Sequence, residues 1–208
     1  MKTIELFSGT QSFSKVARKL GHETFCIDNN PKFNNDITID LLKLNGDLSK
    51  FDIFWASPPC TTFSIASCST HWTKDKKPKS EACIIGLKLL EHTIKLISQA
   101  NPKYWFIENP RGIMRKKIDD IFKKYNITDY RRETICYCRY GDSRMKPTDI
   151  WTNCQKWKPI DKMCHNGNAD HEAAPRGSKT GTQGLKGNME RSIIPPALFK
   201  EIFKGISK

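Results

Sequence analysis

Short apolar runs alternate with amphipathic stretches along most of this chain. The apolar runs predict strands, which are KTIELF, ETFCIDNN, FDIFWAS, KYWFIEN, RRETICYCRYG and TDIWTN. The clearest helix spans residues 81–99, where apolar residues recur at steps of four and three and so form one apolar face. SFSKVARKLG predicts a helix that ends at Gly21, IDDIFKKYN predicts a short helix, and SIIPPALFKEIFKGI predicts a closing helix that starts near Pro196.

This alternation of strands and helices predicts an α/β fold with a mostly parallel sheet flanked by helices. Sheets of this kind bind ligands outside the carboxyl ends of their strands. Polar or reactive residues fall at four predicted strand ends, which are residues 5–8, Asp28, residues 57–60 and residues 108–109. Their convergence predicts a functional edge of the sheet.

The composition is typical of a soluble globular chain, with 38% hydrophobic and 27% charged residues. No apolar run approaches the ~20 residues that span a bilayer, and the N-terminus lacks a secretory cleavage pattern. We therefore expect a cytoplasmic protein without a membrane partner. Its eight cysteines should then be reduced and serve as core, metal-binding or catalytic thiols.

The net charge of +13 favours a polyanionic partner, although a well-solvated basic surface would have the same composition. Basic residues cluster in HWTKDKKPKS, residues 71–80, and in RKKIDDIFKKY, residues 115–125. This clustering makes nucleic acid the expected partner.

Two of the strand ends carry reactive side chains. Cys60 follows Pro58 and Pro59 directly after an apolar strand, and a thiolate presented there can act as a nucleophile. The structural alternative is a small buried cysteine. Glu108 ends the strand KYWFIEN, where a carboxylate can hydrogen-bond the polar edge of a ligand or can simply be a solvated turn residue.

Six motifs resemble, in their order along the chain, those of the cytosine-C5 DNA methyltransferases. They are ELFSGTQSF, FCIDNNP, PPCTTFS, FIENPRG, YGDSRMKPTDIW and GNMERSIIPPAL. The resemblance covers nearly the whole chain and implies the Rossmann-like fold of S-adenosylmethionine-dependent methyltransferases. Small proteins of this type resemble those encoded by bacteriophages, so the implied cytoplasm is that of a prokaryotic or phage-infected cell.

The resemblance implies a DNA (cytosine-5-)-methyltransferase that uses S-adenosylmethionine. Cys60 would add to C6 of a cytosine, Glu108 would bind its N3 and N4 edge, and Arg144 would contact the base or a phosphate. The cytosine must be flipped out of the DNA duplex or lie in a single strand. Three alternatives stay open: a tRNA cytosine-C5 methyltransferase, transfer of a modified alkyl group, and a non-catalytic nucleic-acid-binding homologue.

The resemblance also implies binding residues. Phe7 would pack on the adenine of S-adenosylmethionine, Asp28 would bind the ribose hydroxyls, and Asp40 rather than Asp36 would lie near the adenine amine. The other implied cofactor contacts are Ser8, Gly9, Thr10, Gln11, Ser12, Asn29, Ser57, Pro59 and Ser192, with Gln11 and Ser12 standing where the family usually has glycines. The implied contacts to DNA are Ser64, Lys74, Lys76, Lys77, Arg111, Lys146, Arg176 and Lys179.

The chain divides into three expected parts: a catalytic core of residues 1–153, a reduced target-recognition segment of residues 154–187, and a closing motif and helix of residues 188–208. The middle part is too small and too polar to form its own core. It contains side chains that suit zinc, which are Cys154, Cys164, Asp170 and His171. A zinc ion could order this loop, but the spacing is not a typical zinc pattern, and ordering on nucleic acid is the alternative. The sequence defines neither the target site nor the oligomeric state.

Overall fold

The computed structural model describes residues 1–160, 163–165, 167–172 and 187–207. Within this part of the chain, seven strands form one sheet in the order β3-β2-β1-β4-β5-β7-β6. In chain order the strands are β1 (Lys2–Leu6), β2 (Glu23–Asp28), β3 (Ile37–Thr38), β4 (Ile53–Ala56), β5 (Tyr104–Pro110), β6 (Arg131–Cys136) and β7 (Pro147–Thr152). All six strands expected from the apolar runs are present, and β3 is a short addition at the edge.

The sheet is parallel from β3 to β5, and β7 runs antiparallel to both β5 and β6. Helices flank it, which confirms the expected α/β class. The helices are α1 (Ser12–Lys19), α2 (Cys68–His71), α3 (Glu81–Ala100), α4 (Ile118–Lys124), α5 (Asn188–Ser192) and α6 (Pro196–Ile206).

Helix α3 begins and ends where its sequence dictates. The Ser80 hydroxyl accepts a hydrogen bond of 3.1 Å from the backbone N–H of Cys83, which satisfies one of the free donors of the first turn. At the other end, Asn101 adopts a left-handed conformation with φ 46°, and Pro102 follows. Asparagine tolerates this conformation better than most residues, so it stops the helix at little cost.

The two faces of the sheet bury separate cores, and β4 shows how its sequence serves both. Phe54 and Ala56 face the core beneath α3 and α4, whereas Ile53 and Trp55 face the core beneath α1 and α6. Successive side chains of a strand point to opposite faces, so a strand covered on both sides is apolar throughout. The Trp55 ring stacks on Phe13 of α1 with a centroid distance of 5.7 Å.

Cys154 and Trp157 pack into the core beneath α1 and α6. Trp157 is 1% exposed, and its indole N–H donates a hydrogen bond of 2.8 Å to Oε1 of Glu201 in α6. The start of the expected recognition segment therefore shares the main core. Among the described helices, none combines the length and apolar character needed to cross a bilayer.

Candidate active site

The carboxyl ends of β1, β2, β4 and β5 meet along one edge of the sheet, because these strands are parallel neighbours. A cavity of about 500 Å³ opens at this edge. It brings together eight of the residues expected to bind the cofactor, which are Phe7, Gly9, Asp28, Asn29, Asp40, Ser57, Pro59 and Ser192. Asp36, the competitor of Asp40, instead accepts a hydrogen bond from the backbone N–H of Cys26.

Several apolar residues that sequence reasoning missed also line the cavity. They are Ile27, Phe33, Ile39, Leu41, Leu89 and Met189, together with the polar Asn30. They come from four separate stretches of the chain and have no common local pattern. An apolar wall with a few acidic groups is typical of sites that bind small cofactors.

The loop between β1 and α1 has an unusual backbone. Phe7, Gly9 and Gln11 all have left-handed conformations, with φ of 58°, 44° and 56°. Glycine adopts left-handed conformations without cost, whereas Phe7 and Gln11 are strained in them. Backbone strain of this kind persists where the surrounding structure holds the residue in place. Gln11 is held by its side chain, which donates to the carbonyl of Asn34 and accepts a hydrogen bond of 2.8 Å from Arg18.

Four of the expected cofactor residues do not line the cavity, because their side chains brace this loop instead. The Ser8 hydroxyl donates to Oδ1 of Asn35 at 2.9 Å, and those of Thr10 and Ser12 bond each other at 3.0 Å. The Ser12 hydroxyl also accepts a hydrogen bond from the backbone of Ile194, which ties the loop to the closing segment. Gln11, described above, is the fourth.

Asp28 organises the floor of the cavity. Its two carboxylate oxygens accept hydrogen bonds of 2.9 and 2.8 Å from the backbone N–H groups of Gly9 and Asn30. Each oxygen retains a further lone pair, so the carboxylate can still accept hydrogen bonds from a ligand that enters the cavity.

Cys60 lies four residues beyond the end of β4, near charged groups of both signs. The residue is exposed, but protein surrounds its thiol closely enough for desolvation to raise the pKa. The positive charges of Lys146 and Arg191 lower the pKa, and the negative charge of Glu108 raises it. A substrate that neutralises or displaces Glu108 would therefore favour the thiolate.

Glu108 lies on the neighbouring strand β5, and a hydrogen bond from a buried tyrosine fixes its side chain. It is 5% exposed, and its Oε1 accepts a hydrogen bond of 2.9 Å from the hydroxyl of Tyr137. The next residue, Asn109, donates a hydrogen bond of 2.8 Å to the carbonyl of Pro58. This bond joins the end of β5 to the corner that carries Cys60.

Gly112 brings the loops after β4 and β5 together. A Cβ atom there would lie 2.1 Å from the carbonyl oxygen of Phe63, so no larger residue fits without moving the backbone. The close approach allows Ile113 to donate a backbone hydrogen bond of 2.8 Å to the same oxygen. The glycine of the motif FIENPRG is therefore a packing requirement of the cleft.

The structure gives Arg144 several partners within the protein, and its expected contact with a base or phosphate stays a prediction. It is 4% exposed, and its guanidinium donates to both carboxylate oxygens of Asp142 and, at 3.0 Å each, to the carbonyls of Arg191 and Ile193. These partners take up the side chain and anchor the closing segment. Lys146, two residues further on, is the cation with the larger effect on the pKa of Cys60.

The residues expected to bind DNA differ in how far their side chains are exposed. Lys74, Lys77 and Arg111 are exposed, whereas Ser64, Lys76 and Lys146 are half-buried. Arg176 and Lys179 lie outside the described residues. In the second basic stretch, two basic side chains already form ion pairs with acidic residues of this chain. Arg115 pairs with buried Asp149, and Lys124 pairs with Glu91.

Three side chains that can bind a metal meet beside β6. The sulfur atoms of Cys138 and Cys164 and a ring nitrogen of His171 all lie within 4.8 Å of one another. The Sγ atom of Cys164 is 3.4 Å from Nδ1 of His171. Cys164 and His171 belong to the set expected from the sequence, and Cys138 is an addition to it.

The other two expected ligands lie elsewhere. The Asp170 carboxylate pairs with the guanidinium of Arg139. Cys154 is buried in the core beneath α1 and α6, and the thiol pKa rises there because of desolvation. The structure therefore brings Cys164 and His171 together with Cys138, a different group of potential metal ligands from the one that proximity in sequence suggests.

Comparisons with known proteins agree with this geometry. The model of the family "C-5 cytosine-specific DNA methylase" matches residues 1–133. The chain is 29% identical over 227 residues to a "Probable DNA (cytosine-5)-methyltransferase" of Frog virus 3 (isolate Goorha), in an alignment that covers 97% of this chain and 98% of that protein.

Solved structures show the same fold. A prophage-encoded Escherichia coli protein, described as a DNA modification methyltransferase, has a TM-score of 0.54 at 20% identity, covering 73% of this chain and 46% of that one. The methyltransferase EhMeth of Entamoeba histolytica has a TM-score of 0.53 at 16% identity, covering 81% and 57%. The chain thus spans about half the length of the solved structures that it matches.

Proposed function

We propose that this chain, which belongs to the C-5 cytosine-specific DNA methylase family, is a DNA (cytosine-5)-methyltransferase. The observation that carries the proposal is the pairing of Cys60 and Glu108 at the ends of adjacent parallel strands, joined by the hydrogen bond from Asn109 to Pro58. A nucleophile and a carboxylate fixed in this way can act on two sides of one ring.

Cys60 is the proposed nucleophile. C5 of cytosine reacts poorly with a methyl donor, but addition of a thiolate to C6 forms a carbon–sulfur bond and moves an electron pair onto C5. After C5 is methylated, loss of its proton returns the electron pair, breaks the bond to C6 and releases Cys60. Lys146 favours the thiolate that begins this sequence.

Glu108 is the proposed binding partner of the base. Its carboxyl group contacts N3 and the amino group at C4, and it stabilises the proton that N3 gains when the ring accepts electrons. Tyr137 holds one carboxyl oxygen from the protein side. The other oxygen is therefore the one best placed to face the base.

The cavity at the sheet edge fits S-adenosylmethionine. It has the size of a cofactor site, an apolar wall for an adenine ring, and the carboxylates of Asp28 and Asp40 for hydroxyl and amino groups. S-adenosylmethionine, when bound there, supplies the methyl group. Phe7 and Ser192 also line the cavity and would contact the adenine and the amino-acid end.

DNA is the proposed substrate, with the target cytosine flipped out of the stack or in a single strand, because a stacked base cannot reach Cys60. The exposed Lys74 and Lys77 follow Cys60 in the chain and would contact phosphates. Residues 154–187 would act as a reduced recognition segment, and the expected contacts of Arg176 and Lys179 belong to this proposal.

A labelled-methyl transfer assay tests the function. We expect the purified protein to transfer label from S-adenosylmethionine to cytosine C5 of DNA, and Cys60→Ser to abolish transfer. Cys68→Ser, which alters a half-buried thiol of the same region, is the matched control and should stay active. Transfer to tRNA but not to DNA would overturn the substrate assignment, and activity in Cys60→Ser would overturn the mechanism.

A second assay detects the covalent step itself. DNA that contains 5-fluorocytosine cannot lose a proton from C5, so the protein should remain attached to it through Cys60 when S-adenosylmethionine is present. The adduct should survive denaturation and should map to Cys60 by peptide mass spectrometry. Trapping at another residue would contradict the assignment.

A further inference from the structure

We propose that Cys136, Cys138, Cys164 and His171 bind one structural Zn²⁺ ion, and that this site fixes Tyr137 and, through it, Glu108. Three of the four ligand atoms already lie within 4.8 Å of one another. Zinc–sulfur and zinc–nitrogen bonds place the ligand atoms of a tetrahedral site about 3.5–3.8 Å apart. The distance of 3.4 Å from the Cys164 sulfur to the His171 nitrogen is close to that value, so these two atoms need to move little.

Cys136 completes the set. It is fully buried in the same small cluster as Cys138 and Cys164, and its thiol lies 3.9 Å from the carbonyl oxygen of Cys164. Cys136 ends β6, and a short 3₁₀ helix begins at Tyr137. Cys136 and Cys138 lie in the same cluster, whereas Tyr137 between them packs into the core beneath α1 and α6. Three cysteines and one histidine form a common structural zinc set.

The cluster is too small to hold its loop by apolar burial alone. Among the residues that the structure describes, the cluster contains only the half-buried Met145 apart from the three cysteines, and Met163 of the loop is 40% exposed. Zinc binding supplies folding free energy directly, and small loops without a core commonly depend on it. The thiols are therefore better explained as ligands than as a hydrophobic core.

Two of the proposed zinc ligands lie on either side of Tyr137, which contacts the proposed catalytic carboxylate of Glu108. Tyr137 lies between two of the ligands, but its side chain points into the other core and donates to Glu108 at 2.9 Å. A metal bound by Cys136 and Cys138 fixes the backbone on both sides of Tyr137. The link to Glu108 rests on the proposed function, whereas the zinc site itself does not.

Metal analysis tests the site independently of any enzymatic activity. We expect protein purified under reducing conditions to contain about one zinc ion per chain. Replacement by Co²⁺ should give the thiolate-to-metal absorption of a tetrahedral site, a measurement on the wild-type chain that does not depend on whether variants fold. Absence of both signals after reconstitution, or a disulfide between Cys138 and Cys164 that persists in protein purified under reducing conditions, would overturn the proposal.

Variants define the ligands. Cys164→Ser and His171→Ala should each weaken zinc binding by more than about 100-fold, because even residues that only orient ligands affect affinity by 10–100-fold. Cys154→Ser and Asp170→Asn are the matched controls, since these residues lie outside the cluster, and both should retain full zinc. Loss of zinc in the controls but not in Cys164→Ser would refute this ligand set.

Hydrogen exchange tests the link to Tyr137. Chelation should accelerate amide exchange in residues 136–140 and 163–172 and leave α3 unchanged, and equal exchange in residues 136–140 with and without zinc would refute the link. Cys60→Ser should retain its zinc while it loses methyl transfer. A zinc-loaded wild-type protein that transfers no methyl group would therefore count against the proposed function and not against the zinc site.

Discussion

The hydroxyl of Tyr137 donates a hydrogen bond of 2.9 Å to Oε1 of Glu108, in a buried contact between residues 29 positions apart. Burial, together with the negative charge of Glu108, raises the pKa of Tyr137 well above its ordinary value. The phenol therefore stays protonated throughout the working range of pH and is a permanent donor. In the proposed mechanism it orients Glu108 so that the carboxylate can bind a base.

Tyr137→Phe should lower kcat by roughly 10- to 100-fold, because a hydrogen bond to a charged group contributes about 1.5–3 kcal/mol. The ring stays in place, so the affinity for S-adenosylmethionine should hardly change. Tyr140→Phe removes a different buried phenol, which contacts Glu201, and serves as the matched control. Equal kcat values for Tyr137→Phe and the wild type would show that Glu108 needs no such support.

Lys146 should make Cys60 more reactive. Desolvation raises the pKa of the Cys60 thiol and the charge of Lys146 lowers it, so Lys146→Gln should raise that pKa further and reduce the thiolate fraction. A charge interaction of about 1 kcal/mol corresponds to roughly fivefold slower alkylation at mildly alkaline pH. Iodoacetamide labelling followed by peptide mass spectrometry measures the rate.

The experiment is selective because Cys60 is the exposed one of the eight cysteines, all of which lie in the described part of the chain. Lys74→Gln removes an exposed lysine of the basic loop and should leave the alkylation rate unchanged. If Lys146→Gln and the wild type react at the same rate across the pH range, Lys146 does not act on the thiol.

Much of this site could be predicted because its parts lie at strand ends. Apolar runs locate the strands, and a parallel sheet brings their carboxyl ends to one edge, so Cys60, Asp28 and Glu108 could be placed together from the sequence. The support from Tyr137 could not be foreseen, because it depends on how β6 pairs with β7 and then turns. Two partners of Arg144 could not be foreseen either, since nothing local indicates the backbone carbonyls of Arg191 and Ile193; its contact with a base or phosphate stays a prediction.

The metal-binding residues show the same limit. Cys164 and His171 were expected to act together, and they do lie together. Cys154 belongs to the expected set because it is near these residues in the sequence. Its side chain is instead buried in the apolar core beneath α1 and α6. Cys138 takes its place because a loop that is distant in the sequence packs against the residues that follow β6. The spacing of the cysteines and histidines along the chain does not indicate this contact.

Glu5 should make stability depend on pH. Its carboxyl accepts hydrogen bonds of 3.2 and 2.9 Å from the backbone N–H groups of Phe13 and Ser14 at the start of α1, but desolvation by burial dominates and raises the pKa to about 7. The folded state therefore binds this proton more tightly than the unfolded state. The resulting stabilisation is complete below pH 4.5, the ordinary value, and is lost as pH rises through 7.

Urea unfolding at a series of pH values checks this dependence. The free energy of unfolding of the wild type, relative to Glu5→Gln, should fall by up to about 3 kcal/mol between pH 4.5 and pH 8. Glu23→Gln changes an exposed glutamate whose side chain is 72% exposed and should reproduce the wild-type slope. A wild-type slope identical to that of Glu5→Gln would mean that Glu5 titrates normally.

DNA binding should depend on salt through the loop that follows Cys60. Lys74 and Lys77 are exposed there, and each phosphate neutralised by a lysine contributes about 0.9 to the slope of log affinity against log salt. The double variant Lys74→Ala/Lys77→Ala should therefore reduce the slope by about 2 and weaken binding most at low salt. Fluorescence anisotropy with a labelled duplex, measured across a salt series, gives the slope.

The matched control removes the same charge from the opposite edge of the sheet. Lys2 begins β1 and Lys103 precedes β5, so both lie at the amino ends of strands whose carboxyl ends form the cleft. Lys2→Ala/Lys103→Ala changes the net charge by the same amount and should leave the slope nearly as in the wild type. Equal slopes for the two double variants would show that net charge, rather than a DNA-binding surface beside Cys60, attracts the DNA.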